Sequence, residues 1–301
     1  MKSAINMNSA YGFIAVLLAA FLWGTTGTAA SFAPDLSPLT VGAVAMGCGG
    51  LLQALLARKN ILCGLNHLNG SLRYLLLGAL SVAIYPLAFY SSMYLAGITI
   101  GTVVSIGSAP LFTALLEKFF DKKTLSMTWF ICFILGVLGV IFLSMGESHP
   151  DSIAETNRYF KIVGIILGVI AGLTYSLYSW AAKKMMGNGL DAKASMGLIF
   201  GIGALLLLPT VFYTGTNIFD AASHFYVLSY MALIPMFLGY VLFGYGLKTI
   251  SASKAITLTL FEPVIAALLA IFLVGEQLTF IGWLGMVLIF LCLIILSRVD
   301  T

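Results

Sequence analysis

The chain has 301 residues, of which 60% are hydrophobic and 9% charged, with a mean hydropathy of +1.05 and a formal net charge of +4. A soluble domain carries about 25% charged residues, so these values exclude a soluble globular fold and point to a polytopic membrane protein. The surplus positive charge gives no sign of nucleic acid, because in such a chain its distribution between loops is the informative quantity.

Apolar runs long enough to cross a hydrocarbon layer of ~30 Å at 1.5 Å per residue predict ten spans and an all-α integral membrane fold. In chain order they are Tyr11 to Phe32, Pro38 to Ala57, Leu72 to Leu95, Gly97 to Phe119, Leu125 to Met145, Ile162 to Ala182, Ala194 to Tyr213, Phe225 to Leu247, Ile250 to Val274 and Leu278 to Ser297. Lys2, the first apolar run and the small residues of TAASFA imitate a secretory leader. That run has an internal counterpart near residues 164 to 184, which no leader explains, so it is read as the first span. Counting Lys and Arg in alternate loops places Lys2, Arg58, Lys59, Arg73, Lys118, Lys122, Lys123, Lys183, Lys184, Lys193, Lys248, Lys254 and Arg298 on one side, and Arg158 and Lys161 on the other. The positive-inside rule then puts both termini in the cytoplasm of a multi-pass membrane protein.

The chain repeats itself. Residues 99 to 144 align without gaps on 252 to 297 at an offset of 153, with Pro110 on Pro263, Leu111 on Val264, Leu125 on Leu278 and Ser144 on Ser297. Gly12 and Ala19 match Gly164 and Ala171 at an offset of 152. Each copy holds five spans, an odd number, so the second must enter the membrane from the opposite face. The expected organisation is a first repeat at 1–146, an external linker at 147–161 and a second, inverted repeat at 162–301.

The ninth span carries the most unusual chemistry. SASKAITLTLFEPVIAALLAIF, Ser251 to Phe272, places Glu262 and Pro263 near mid-membrane, where a carboxylate costs about 2.5–3.5 kcal/mol unless it meets a partner, a cavity or the bundle interior. Pro263 withholds a hydrogen bond from the carbonyl of Thr259. Ser251, Ala255, Thr259, Glu262, Ala266 and Ala270 form one small and polar stripe, leaving the Leu, Ile and Phe residues for lipid. Two readings of Glu262 stay open: a proton-coupling or cation-binding carboxylate, or a permanently protonated side chain that hydrogen-bonds helices together. Lys254, about 12 Å nearer the lysine-rich side, either meets a substrate carboxylate or snorkels to the interface.

In the fourth span Ser105 and Ser108 precede Pro110, but no acid matches Glu262 there. Pro86 in the third span and Pro235 in the eighth are expected, with Pro110 and Pro263, to break or kink their helices. Tyr85, Tyr90, Tyr94, Tyr240 and Tyr245 are candidates to stack on an aromatic or cationic substrate, Tyr90 and Tyr240 being nearest mid-span. Trp23 and Tyr175 occupy equivalent repeat positions too deep for an interface belt, and are read as cavity-lining. Glycines at 97, 101, 164, 168 and 172 have the small-xxx-small spacing of close helix packing. Cys48, Cys63, Cys132 and Cys292 show no metal or redox spacing and read as packing residues. No Walker motif, cofactor motif, metal cluster or nucleophile–base–acid constellation is seen, and His67, His149 and His224 are dispersed at loops.

LWG at 22–24, LSPLT at 36–40, SASKA followed by LFEP at 260–263, and GEQLTFIGWLGM at 275–286, in two five-span halves, resemble the EamA-type family of the drug/metabolite transporter superfamily over nearly the whole chain. The resemblance implies an exporter of small metabolites with a central cavity lined by the first, third, fourth, sixth, eighth and ninth spans. Two departures stand out: Ala45 where the family often has a basic residue, and Lys123 where Glu276 predicts an acid after the fourth span. The expected function is therefore alternating-access export of an amino-acid-like, amine or drug-like molecule, with Glu262 as the candidate proton site and lipid as surroundings. The alternatives are a lipid-carrier flippase, which needs a lateral groove with basic residues, and an intramembrane lipid-modifying enzyme, which needs several catalytic groups at one depth.

Overall fold

The computed structural model describes residues 2–146, 158–215, 217–275 and 277–298. Ten helices are long and apolar enough to span a membrane: Ser9–Ala30, Pro38–His67, Leu72–Ala96, Ile100–Phe120, Met127–Gly146, Arg158–Gly187, Ala192–Thr214, Ala222–Thr249, Ala252–Leu273 and Phe280–Ser297. They are called the first to tenth spans below. Of the expected linker, 147–157 and with it His149 lie outside the described residues. Its last four residues, from Arg158, already belong to the sixth helix, because the apolar stretch after Lys161 continues their helical turn.

Hydrogen bonds between span ends sort the loops into two faces. On one face Asn60 Nδ2 donates to Asp191 Oδ1 (3.0 Å), Asn188 Nδ2 to the carbonyl of Gly70 (3.1 Å), and Lys184 Nζ to Asp121 Oδ1 (2.9 Å). On the other, Thr40 Oγ1 donates to the carbonyl of Thr214 (2.6 Å), Asn217 Nδ2 to that of Asp35 (2.6 Å), and the Thr279 N–H to that of Gly146 (3.1 Å). The first set joins ends that carry nine of the thirteen basic residues, here the lysine-rich face. Charge counting and the structure therefore agree on which ends lie together.

Glycine sets the closest helix approaches. A Cβ on Gly164 would stand 2.7 Å from Cβ of Ala96, and one on Gly12, its repeat counterpart, 1.8 Å from Oγ1 of Thr249, the counterpart of Ala96. The same contact made twice with the halves exchanged is what a two-fold relation between them requires, and it supports the inverted repeat. Gly168 and Gly172 bring the sixth span against Ser92 and Val104, and against Ser108, in the same way.

The helix breaks divide unequally. Pro86 and Pro110 sit inside unbroken α-helices, Leu72–Ala96 and Ile98–Phe120, contrary to expectation. Beside Pro110 the hydroxyls of Ser176 and Thr113 both donate to the carbonyl of Ala109, at 2.7 and 2.9 Å, and brace the turn where the proline omits a rung. Pro235 lies in a π-helical stretch, Ala232–Gly239, and Pro263 follows a 3₁₀ turn, Thr259–Phe261. The Thr259 carbonyl released by Pro263 is not free: the Glu262 N–H takes it up and tightens the turn.

Burial corrects the ninth span further. Ile256, Leu258, Leu260 and Val264 are fully buried, so its first half is enclosed by protein on every side rather than facing lipid with its aliphatic residues. Cys132 and Cys292 are buried as expected of packing residues, whereas Cys63 is exposed near the end of its helix.

Candidate functional site

The sequence places an aromatic or aliphatic residue at almost every turn of the first, third, sixth and eighth spans, and the glycines let those rings meet. A Cβ on Gly239 would lie 2.7 Å from Nε1 of Trp23, so only glycine there lets the indole lie flat against the eighth span. Trp23 Nε1 then donates to the carbonyl of Pro235 (2.9 Å), a bond that ties the first span to the π-helical stretch. Around the indole stand Tyr240 (centroid separation 4.7 Å), Phe243 (5.4 Å) and Tyr175 (6.4 Å). Tyr85 continues the cluster from Tyr175 (5.5 Å) to Phe89 (5.7 Å), and Phe89 leads to Tyr90 (5.4 Å).

These rings wall a chamber into which Glu262 opens. Its lining is Trp23 and Thr26 from the first span, Gly42 and Met46 from the second, Tyr85, Pro86, Phe89 and Tyr90 from the third, Tyr175 from the sixth, Met236 and Tyr240 from the eighth, and Glu262 from the ninth. Glu262 is the one charged side chain of that lining. The second span takes the place expected of the fourth, because Gly42 and Gly47 admit neighbouring side chains while the fourth span is covered by the sixth. The chamber volume is about 50 Å³, room for a water or two at ~30 Å³ each. The site is narrow, and Glu262 on its wall is only partly covered.

Thr259 supports the wall from behind. Its Oγ1 accepts from Tyr175 Oη (3.0 Å) and donates to the carbonyl of Ile256 (2.8 Å), fixing the tyrosine against the 3₁₀ turn that presents Glu262. The Tyr178 and Tyr240 hydroxyls meet at 2.9 Å and hold a second wall. Such buried hydroxyl pairs orient rings that apolar packing alone would leave free to tilt.

Of the residues singled out in the sequence, Trp23, Tyr90, Tyr175, Tyr240, Glu262 and Pro86 line the chamber, and Thr259 lies one residue behind. Ser105 and Ser108 do not: they lie between the fourth and sixth spans, where Gly172 makes room for the Ser108 hydroxyl and the Ser105 carbonyl. Lys254 neither reaches the chamber nor snorkels. It is 5% exposed, because the helix start that carries it is enclosed by neighbouring spans. Tyr94 and Tyr245 face outward, at 75% and 47% exposure. Among the described residues no group of His, Cys, Asp and Glu is placed to hold a metal.

Sequence reasoning missed Glu117. Glu117, near the end of the fourth span, is a second buried acid, 2% exposed. Followed by Lys118 and two phenylalanines, it looks like an ordinary residue of a helix end; the N-terminus of the ninth span, five spans later, draws it inward.

Beside the chamber, on the face opposite the lysines, an apolar groove of about 490 Å³ opens between the first, eighth and ninth spans, lined by Thr28, Phe32, Tyr226, Leu269 and Leu273 among others. Thr25 and Tyr230, whose hydroxyls meet at 2.8 Å, belong to the groove, and Thr26 already belongs to the chamber. No Lys or Arg lines the groove.

A family model described as the EamA-like transporter family matches the chain twice, over residues 10–145 and 162–298. The chain is 33% identical to the uncharacterized transporter YwfM of Bacillus subtilis, over 94% of its own length and 92% of the relative. It is 23% identical to the uncharacterized inner membrane transporter YicL of Salmonella typhimurium, over 95% of each. Its fold superposes on a solved crystal structure with a TM-score of 0.77 at 16% identity, covering 95% of this chain and 96% of that one.

Proposed function

The chain belongs to the EamA-like transporter family, and from that premise we propose that it is a secondary transporter exporting a small metabolite across the bacterial cytoplasmic membrane by alternating access. In this reading the lysine-rich face and both termini are cytoplasmic, and the two halves rock about the aromatic chamber. The observation that carries it is the placement of Glu262: a lone carboxylate on the wall of a narrow aromatic chamber, at the point where the ninth helix is broken. A membrane interior tolerates such an acid where it meets an ion path or substrate.

The chemistry of the lining favours an amine among the substrate classes considered. Six aromatic rings and one carboxylate, with no Lys or Arg among the lining residues, suit an ammonium group over a ring face with its charge neutralised by Glu262. A proton and an ammonium group would compete for the same carboxylate, which couples export to proton entry. The lateral groove meets half of the flippase requirement, but its lack of basic residues leaves a lipid phosphate without a partner.

Glu262→Gln is the test. In inverted vesicles it should abolish transport driven by a pH gradient while leaving membrane insertion intact; an unchanged rate removes the coupling role. Metabolite profiles of a deletion strain set against an overexpressing strain should differ most among small amines. A difference confined to carboxylates would overturn that assignment.

A further inference from the structure

Glu117 occupies a position the chamber does not explain. It stands in the last turns of the helix Ile98–Phe120, and its carboxylate reaches across to the first residues of the ninth span. Oε1 accepts from the N–H of Ala252 (3.1 Å), and Oε2 accepts from Ser253 Oγ (2.5 Å). Lys123 Nζ completes the set at 3.0 Å from Oε1. The first N–H groups of a helix have no partner within it and carry the positive end of its dipole, so a buried carboxylate there satisfies a donor and matches a charge at once. Ser251 caps the same helix from its own side, with Oγ accepting from the Lys254 N–H (3.3 Å).

From this geometry we infer that Glu117 is a positioning residue for transport: a latch between the fourth and ninth spans that keeps the chamber closed to the lysine-rich face. The fourth span packs on the ninth through the segment Ala252–Leu258, and beyond the 3₁₀ turn the segment Glu262–Leu269 packs on the first span instead. The two spans thus meet beneath the chamber and part above it, and the carboxylate sits at their meeting point. The other contacts across this face join different spans: Asp121 accepts from Trp180 and Lys184 of the sixth, and Lys183 caps the end of the eighth at the carbonyls of Leu247 and Ile250.

The repeat shows that this latch has no twin. At the offset of 153 the counterpart of Glu117 is Ala270, and Ile100 stands where Ser253 stands in the second copy. The two positions equivalent to Glu117 and Ser253 on the opposite face therefore carry neither the acid nor the hydroxyl. That is the face where the 490 Å³ groove opens beside the chamber. Closure rests on a buried carboxylate between the fourth and ninth spans on one side, and on neutral contacts such as the Thr25–Tyr230 hydroxyl pair on the other, which biases the resting protein toward the face without lysines.

The inference rests on the alternating-access reading, and its test is independent of substrate. A Thr26→Cys reporter in the chamber is combined with Glu117→Gln or Glu117→Ala in the full chain, in sealed vesicles of each orientation. The native thiol of Cys63, exposed at the lysine-rich end of the second span, tells which face an impermeant maleimide reaches, and peptide mass spectrometry separates the two labels. From the Cys63 face the T26C thiol should label about 10-fold faster in both Glu117 variants, corresponding to a shift of ~1.4 kcal/mol in the opening equilibrium, and Glu117→Asp should restore slow labelling in part. Ser253→Ala, which removes one partner and keeps the acid, should give a smaller increase and serves if the Glu117 variants do not accumulate. Unchanged labelling in folded variants, or an equal increase from both faces, overturns the latch. Transport that fails in the wild type while labelling still shifts would refute the exporter reading and keep the latch.

Discussion

The fourth and ninth spans descend from one sequence and have come to do different things. Both carry a proline at the same repeat position, Pro110 and Pro263, yet the fourth runs as an unbroken α-helix whereas the ninth passes from α-helix through a 3₁₀ turn to α-helix and then to a π stretch, Ala270–Val274. Before the proline stands Ala109, fully buried, in one copy and Glu262, on the chamber wall, in the other. A missing N–H does not therefore open a helix by itself. Where two hydroxyls bond the carbonyl just before the proline the helix continues, and where the chain tightens into a 3₁₀ turn the next side chain is turned toward the chamber.

Experiments that exchange features between the two spans would break or sharpen this contrast. The largest effect is expected from Glu262→Gln, with gradient-driven export falling to background in vesicle assays. Ala109→Glu, which gives the fourth span the acid of the ninth, should cost about 3–5 kcal/mol because the new carboxylate is buried without a partner; normal thermal stability in detergent would mean that the site is symmetric after all. Tyr175→Phe removes the bond to Thr259 and should lower stability by about 1 kcal/mol, with a larger proportional loss in transport rate than in binding if the bond orients the wall. Pro110→Ala should change stability by under about 1 kcal/mol and leave transport intact, since that helix is already regular. A transport defect there would show that the fourth span also bends during the cycle.

Much of this was legible in the sequence, for identifiable reasons. Ten apolar runs separated by short loops have few ways to cross a bilayer, and thirteen basic residues at alternate ends mark the faces. Trp23 with Tyr175, Tyr90 and Tyr240 could be placed near the centre because polar-tipped rings at mid-span need an interior. Burial was harder: Lys254 and the aliphatic side of the ninth span look lipid-facing until neighbours are packed round them, and hydropathy does not distinguish lipid from protein as an apolar surrounding. Glu117 was invisible for a related reason, since its partners at Ala252 and Ser253 lie 135 and 136 residues away. The loss of the fourth span from the chamber wall likewise follows from which glycines admit which neighbours.

The tightness of the chamber has a kinetic corollary. A ligand larger than two waters finds no vacancy until the rings separate, so capture must wait for a fluctuation of the protein. In rapid-mixing experiments the observed rate should then level off as ligand concentration rises, at the frequency with which the walls part. Affinity among a series of amines would follow how well each holds that parted arrangement rather than how quickly it arrives.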